Sequence, residues 1–270
     1  MALFGRQVHL QLGTSGSTGK TFSGFRVTFD VKMTRSSTPN EAVIELYNPN
    51  PATVALAQDP DAVIRLLVGY DTPLQVFTGN PIKNGVRLER RGPDRVLRLE
   101  AQDGGRAWGS ARISVSFATQ TTLRQVYDAI AEQLGLPAGT IRLDEDLVFP
   151  QGIALAGPAR DVLDRLATST ASEWFIRDGV LQFVGSGEDT GEEAIVFSAT
   201  GGNLIGSPTP KDDGIEIKAL LAPTLRPGRT FKVESADYNG LYVAQDVAFR
   251  GDSGWDQAFY VIASGTPRSS

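Results

Sequence analysis

Between Phe25 and Tyr47 the chain alternates apolar and polar residues twice, and this constrains its fold more than any other stretch. Phe25, Val27, Phe29, Val31 and Met33 alternate with Arg26, Thr28, Asp30 and Lys32. After a break at Ser36, Thr38, Pro39 and Asn40, the residues Ala42, Ile44 and Leu46 resume opposite Glu41, Val43, Glu45 and Tyr47. A period of two gives a strand one dry face and one wet face, so the stretch predicts a long β-hairpin. Asn48-Pro49-Asn50-Pro51 ends the return strand, because proline has no N–H to give a ladder, and a short helix over 52–58 follows. Two strands alone are not stable in water, so the hairpin needs further strands or a partner. Val43 and Tyr47 leave its outward face partly apolar, which suits contact with another subunit.

The remaining chain reads largely as strands. Val8, Leu10 and Leu12 mark the first. The following GTSGSTGKT, 13–21, lacks the spacing of a phosphate-binding loop and precedes a strand where a phosphate cradle needs a helix, so it reads as a loop or hairpin tip. Strands are expected at 62–70, 74–78 and 95–102, with a turn at Arg90-Arg91-Gly92-Pro93-Asp94, and again at 108–117. From Thr121 the period changes to three or four: Leu123, Val126, Tyr127, Ile130 and Leu134 predict a helix capped by Thr121 or Thr122 and ended by Gly135. A strand at 140–143 follows, and then a second helix opened by Gly157-Pro158, with Val162, Leu163 and Leu166 inward. Asp178-Gly179 between apolar runs predicts a tight hairpin over 173–184. Further strands are expected at 194–198, 204–206 and 214–221. The last fifty residues read as short strands with turns at Pro227-Gly228 and Asn239-Gly240, as in a small barrel or sandwich. The fold class is therefore mainly β with an α+β insert. The units expected are 1–117, an insert over 118–185, and 186–270.

Composition narrows the chemistry. Cysteine is absent and His9 is the only histidine, which removes disulfides, thiol nucleophiles and thiolate metal sites, and any histidine cluster within one chain. Gly251-Asp252-Ser253-Gly254 superficially matches a protease nucleophile loop but reads as a plain turn. The carboxylates at Asp144, Glu145, Asp146, Glu188, Asp189, Glu192, Glu193, Asp212 and Asp213 fall in expected loops, where solvent keeps them ionised; paired-acid chemistry needs two of them held across a cleft. No catalytic, cofactor or metal residue is assigned. The net charge of −5 is unevenly spread: 13 basic and 10 acidic residues over 1–110, against 13 and 21 over 111–270. Lys83, Arg87, Arg90, Arg91, Arg95 and Arg98 form the most basic part, which lacks the interleaved aromatics of a nucleic-acid platform and reads as a solvated hairpin or a salt-bridged interface. No apolar run approaches the ~18 residues of a spanning helix, and no secretion signal is evident, so a cytoplasmic origin without membrane insertion is expected.

Both ends resemble a known family. The pattern Lys32, Thr34, Arg35, Pro39, Asn40, then Ala42, Ile44, Leu46, Tyr47, Asn48 and Pro49, resembles the start of baseplate hub proteins of tailed phages and phage-like contractile tails. Gly214 to Ser235, Asn239-Gly240-Leu241-Tyr242-Val243 and Gly251-Asp252 resemble its end. The resemblance implies a non-enzymatic homotrimer in a virion baseplate, assembled in the host cytoplasm. Each chain would give two tail-tube-like β domains, so that three chains present a pseudo-sixfold ring to the tail tube protein. The other face would hold the central spike protein, the insert would meet peripheral baseplate wedge proteins, and DNA would only pass through the lumen. The interface residues expected are Lys32, Arg35, Val43, Glu45, Tyr47, Arg226 and Arg229. A tail-associated cell-wall hydrolase and a carbohydrate-binding or capsid-type β module are the competing readings.

Overall fold

The computed structural model describes residues 5–14, 19–104, 111–142, 147–254 and 258–268. The alternating stretch forms β3 (Val27–Thr34) and β4 (Glu41–Tyr47), paired from Val27↔Leu46 to Lys32↔Glu41. Phe25 lies before the strand and is exposed. α1 (Pro51–Ala57) follows, its first turn closed by the Asn50 side chain on the Thr53 N–H. Ahead of the hairpin, β1 (Arg6–Thr14) pairs antiparallel with β2 (Lys20–Phe22), and residues 15–18 of the Gly-Ser-Thr stretch lie outside the described residues.

β5 (Ala62–Tyr70), β6 (Leu74–Arg91) and β7 (Asp94–Gln102) complete the first half. β6 is far longer than the alternation signalled. Residues between Pro81 and Val86 bulge out of its pairing with β7, which resets the side-chain phase and hides a continuous strand from any period count.

In the second half β15 (Ile195–Ser198), β16 (Thr209–Lys211), β17 (Gly214–Leu220), β18 (Thr230–Glu234), β19 (Asn239–Asp252) and β20 (Phe259–Pro267) join the same 13-stranded sheet. The join is β19 against β3, from Asp246↔Thr34 to Asp252↔Thr28. The carboxy-terminal β segment thus continues the amino-terminal sheet, and Phe29, Val31, Phe231, Val247 and Phe249 lie in one apolar core. Pro227-Gly228 turns as expected, with Gly228 at φ +83° and the Arg229 N–H donating to the Arg226 carbonyl at 3.1 Å. Asn239-Gly240 does not turn. The reversal falls at Ser235–Tyr238, where the Ser235 hydroxyl accepts from the Tyr238 N–H, and Leu241 beyond it is exposed. Residues 204–206 form no strand beyond a bridge from Leu204 to Ala219.

A second apolar core serves the insert. It contains β8 (Arg112–Phe117), β9 (Thr121–Thr122), α2 (Leu123–Leu134), β10 (Ala138–Arg142), β11 (Val148–Phe149), β12 (Ile153–Pro158), α3 (Ala159–Ser169), β13 (Ser172–Arg177) and β14 (Val180–Gly185). The expected strand 108–117 is seen here as β8; it pairs with β12, and its Ile113 packs in the insert core. Residues 108–110 fall outside the described residues. Pro158 caps α3 from one position before the helix and does not open its first turn. Asp178 and Gly179 take φ of +53° and +78°, the tight turn the sequence predicted.

α2 carries a full capping box: the Thr122 hydroxyl accepts from the Gln125 N–H while the Gln125 side chain accepts from the Thr122 N–H. Thr122→Ala leaves one of these donors without a partner and should cost about 1 kcal/mol. The expected reading is faster hydrogen exchange in the first turn of α2, with unchanged rates in β3 and β4.

Candidate functional site

Antiparallel pairing sets the ends of the sheet. One end is a rim: Arg26, Tyr47, Asn48, Gly92, Asp94 and Asp252 adjoin across β3, β4, β6, β7 and β19. At the other end lie the β3–β4 turn, Asp103 and the insert. Between them, β17, β20, β19, β3, β4, β7 and β6 run side by side, and one face of these strands carries the core. The opposite face is the candidate site.

That outward face is charged yet mostly self-neutralised. Crossing it, Glu216 pairs with Lys211 at 3.1 Å, the Lys218 ammonium sits 4.0 Å over the Tyr260 ring, and Arg250 meets Asp30 at 3.1 Å. Glu45 is its anchor: Arg91 lies 2.6 Å away, Arg98 3.1 Å, and the Thr28 hydroxyl donates to it at 3.1 Å. Burial alone would raise the Glu45 carboxyl, but these donors hold it below the usual carboxylate range. Two open grooves flank the Arg250–Asp30 pair. One of 340 Å³ is lined by Thr28, Asp30, Lys32, Val43, Glu45 and Arg98; the other, of 630 Å³, by residues including Asp213, Asp246, Ile262 and Thr266. Such open, ion-paired ground suits a broad protein contact and gives no enclosed pocket for a small substrate.

The rim is rigid by construction. Arg26 spans Asp252 at 2.8 Å and stacks 4.5 Å over Tyr47, while Asn48 donates to Asp94 and accepts from the Arg95 N–H. The Ser253 hydroxyl accepts from the Val27 N–H and donates to the Phe25 carbonyl, so it is fully engaged in holding this turn. Trp255 lies outside the described residues.

Of the interface residues expected from sequence, Lys32, Val43, Glu45 and Tyr47 share the outward face. Arg35 and Arg226 are used within the chain: Arg35 is buried against Glu173 at 2.8 Å, and Arg226 is buried against Asp178 at 2.9 Å. Arg229 binds the Glu193 and Thr224 carbonyls. The basic stretch divides in the same way, with Arg91 and Arg98 committed to Glu45, Glu89 and Glu100.

Asp189 overturns the expectation of a solvated loop carboxylate. It is only 3% exposed; Thr230 donates to it at 2.7 Å, and Arg142 and Arg268 pair with it. Burial pushes its carboxyl up, yet Thr230, the Gly191 N–H and the two arginines bring it net below the usual range. It ties the insert, β18 and the end of β20 together. Nothing in its sequence neighbourhood signalled this, because the partners are remote in the chain. Asp144, Glu145 and Asp146 lie outside the described residues. No group of His, Cys, Asp and Glu able to hold a metal ion occurs among the described residues.

Comparison with known proteins follows the same outline. The family model described as Baseplate hub gp41 matches residues 64–265, about three quarters of the chain. The chain belongs to the Baseplate hub gp41 family. This hub protein also shares its fold with solved tail proteins. The 43 kDa tail protein of prophage MuSo2 from Shewanella oneidensis is 11% identical with TM-score 0.65, covering 97% of this chain and 98% of that one. The tail protein from Neisseria meningitidis MC58 is 12% identical with TM-score 0.67, covering 98% and 97%. The E. coli c3393 protein, a type VI secretion component similar in structure to T4 tail proteins gp27 and gp5, is 14% identical with TM-score 0.62, covering 96% and 77%. At these identities the likeness is one of fold. A search of curated protein sequences found no match. The resemblance to hub proteins is therefore upheld, with the matched span taking in the carboxy-terminal segment and beginning after the Lys32–Pro49 stretch, and the hub protein is a structural component of a phage-type tail baseplate.

Proposed function

We propose that three copies of this hub protein form a ring joining the tail tube to the central spike. The observation that carries the reading is the unbroken outward face from β17 to β6, drawn from both halves of the chain through the β19–β3 pairing. One rigid, sixfold-matching ring from three chains needs two sheet units per chain, and these are assigned to the regions before the insert and after residue 186. The rim around Arg26 and Tyr47 suits a fixed docking edge, because its loops are tied before any partner arrives. The insert, with its own core, lies at the opposite end of the sheet, where peripheral baseplate proteins would be met. DNA would pass the ring without sequence recognition. We assign no catalytic step; Ser253, Glu45 and Asp189 are already bonded within the fold.

Val43 is the test position: it is half-buried on the outward face beside Glu45 and Lys32. Val43→Lys should leave the monomer folded, because the side chain points away from the core, but should place a third cation on the groove and reduce assembly. Light scattering of the wild type should give three times the 28.9 kDa chain mass, and the variant a lower value. A variant trimer as stable as the wild type would remove this face from the subunit contact.

A further inference from the structure

The 13-stranded sheet is open, and its borders are not alike. Part of the border is shut by the chain itself. Asn203 seals β15 as a neighbouring strand would, its side chain accepting from the Ser198 N–H at 2.8 Å and donating to the Val196 carbonyl at 2.9 Å. Along β17 the Ile205 N–H donates to the Lys218 carbonyl, and the Leu220 N–H to the Asn203 carbonyl, both at 2.7 Å. The far half of β6 is different. Its pairing with β5 ends at Gly79, so from Val86 to Arg91 it has β7 on one side and no strand on the other among the described residues. No proline interrupts this edge. Leu88, opposite the fully buried Leu97, is 40% exposed there. An unblocked edge with an uncovered leucine is a surface that pairs with another chain.

The charges select which chain. Lys83, Arg87 and Arg90 are exposed on β6 and form no ion pair among the described residues. At the other end of the same sheet, the turn from β16 to β17 carries Asp212 and Asp213, which are exposed and likewise form none. Two basic ends repel one another, as do two acidic ends, so like ends do not join. Pro210 leaves β16 short of one ladder donor, so charge more than backbone pairing picks the partner. We propose that the basic β6 edge of one copy docks on the acidic β16–β17 end of the next; this rests on the ring reading above and names the contact that closes the ring. Head-to-tail contacts of this kind close when the rotation between copies permits. The levels of the two ends agree with closure. Through the paired residues, Arg87 is level with Arg98, Glu45 and Thr28, whereas Glu216 is level with Ser264, Asp246 and Thr34. Asp213 lies beyond Glu216 in the same direction, which sets it ~25–30 Å along the strands from Arg87 at ~3.4 Å per residue. Over the eight strands from β16 to β6, spaced ~4.8 Å apart, that offset corresponds to a tilt of roughly 35°, the lower bound of the ~35–45° found in closed barrels. Copies staggered by the shear of a closed sheet thus bring Arg87 and Arg90 beside Asp212 and Asp213.

Charge reversal on the full chain reads this contact. At one protein concentration, light scattering of the wild type should give three times the 28.9 kDa chain mass. Reversing either end, in Arg87→Glu/Arg90→Glu or in Asp212→Lys/Asp213→Lys, should lower the mass to that of one chain, and combining all four changes should restore the trimer. Protected β3 and β4 amides in each variant show that the fold is kept. A wild-type trimer that neither double variant weakens, or that the fourfold variant fails to restore, would overturn this contact and leave the ring reading standing. A wild type that is never a trimer ends both. Should a reversal unfold the chain, cross-linking decides, because the natural sequence has no cysteine to interfere. A bismaleimide should link copies of Arg87→Cys/Asp213→Cys and not copies of Arg87→Cys alone; no link in the first, or an equal link in the second, overturns the contact.

Discussion

A chain truncated after Ser235 should fail to form the sheet. The truncation removes β19 and β20, and with them Ala244, Val247, Phe249, Phe259, Val261 and Ala263 from the shared core. It also strips β3, β17 and β18 of the strands they pair with. Each buried aromatic or aliphatic side chain is worth roughly 1.5–3 kcal/mol of burial, so the loss exceeds the ~5–15 kcal/mol by which a domain is ordinarily stable. Exposed apolar faces and unpaired edges would then drive aggregation. Circular dichroism and hydrogen exchange of the 1–235 fragment should show no protected β3 or β4 amides. A soluble fragment that keeps them protected would mean the amino-terminal strands fold without β19, contrary to the pairing described here.

The second large effect is expected inside the insert. Phe183 is fully buried and stacks on Tyr127 with ring centroids 3.4 Å apart, and Tyr127 in turn bonds the Ser172 hydroxyl at 2.7 Å. Phe183→Ala opens a cavity between α2 and β14 and should cost about 3–5 kcal/mol. Because the insert has its own core, the loss should appear as unfolding of residues 111–185, with the sheet amides still protected. Hydrogen exchange during a urea titration separates the outcomes. One cooperative transition over the whole chain would show that the two cores do not unfold independently.

The sequence by itself determined the elements whose cause is local. Alternation alone placed β3, β4, β5 and β7, since one dry face per strand is written into every second residue. A threonine cap at Thr121 or Thr122 placed the start of α2 to within one residue, Asp178-Gly179 placed the β13–β14 turn, and Pro227-Gly228 placed its turn, because each supplies the φ angles or hydrogen-bonding groups the backbone needs there. The hub family was also legible, from residues at both ends, and so was the outward position of Lys32, Val43 and Tyr47, which follows from phase.

Only the tertiary structure decided what depends on residues far apart in the chain. Asn239-Gly240, a strong local turn signal, runs straight because it pairs with Glu234 and Val233 of β18, while the Ser235 hydroxyl closes the reversal earlier. The bulge in β6 erased its period. β12 went unread between a turn and a helix, and its pairing assigned β8 to the insert. The burial of Asp189, Asn40 and Asp103, and the inward use of Arg35 and Arg226, rest on partners from 41 to 151 residues away. No period or spacing within a short window encodes such contacts. They exist because β19 crosses to β3 and closes the two halves of the chain into one sheet, leaving the insert to dock through whatever polar groups that closure brings to its base.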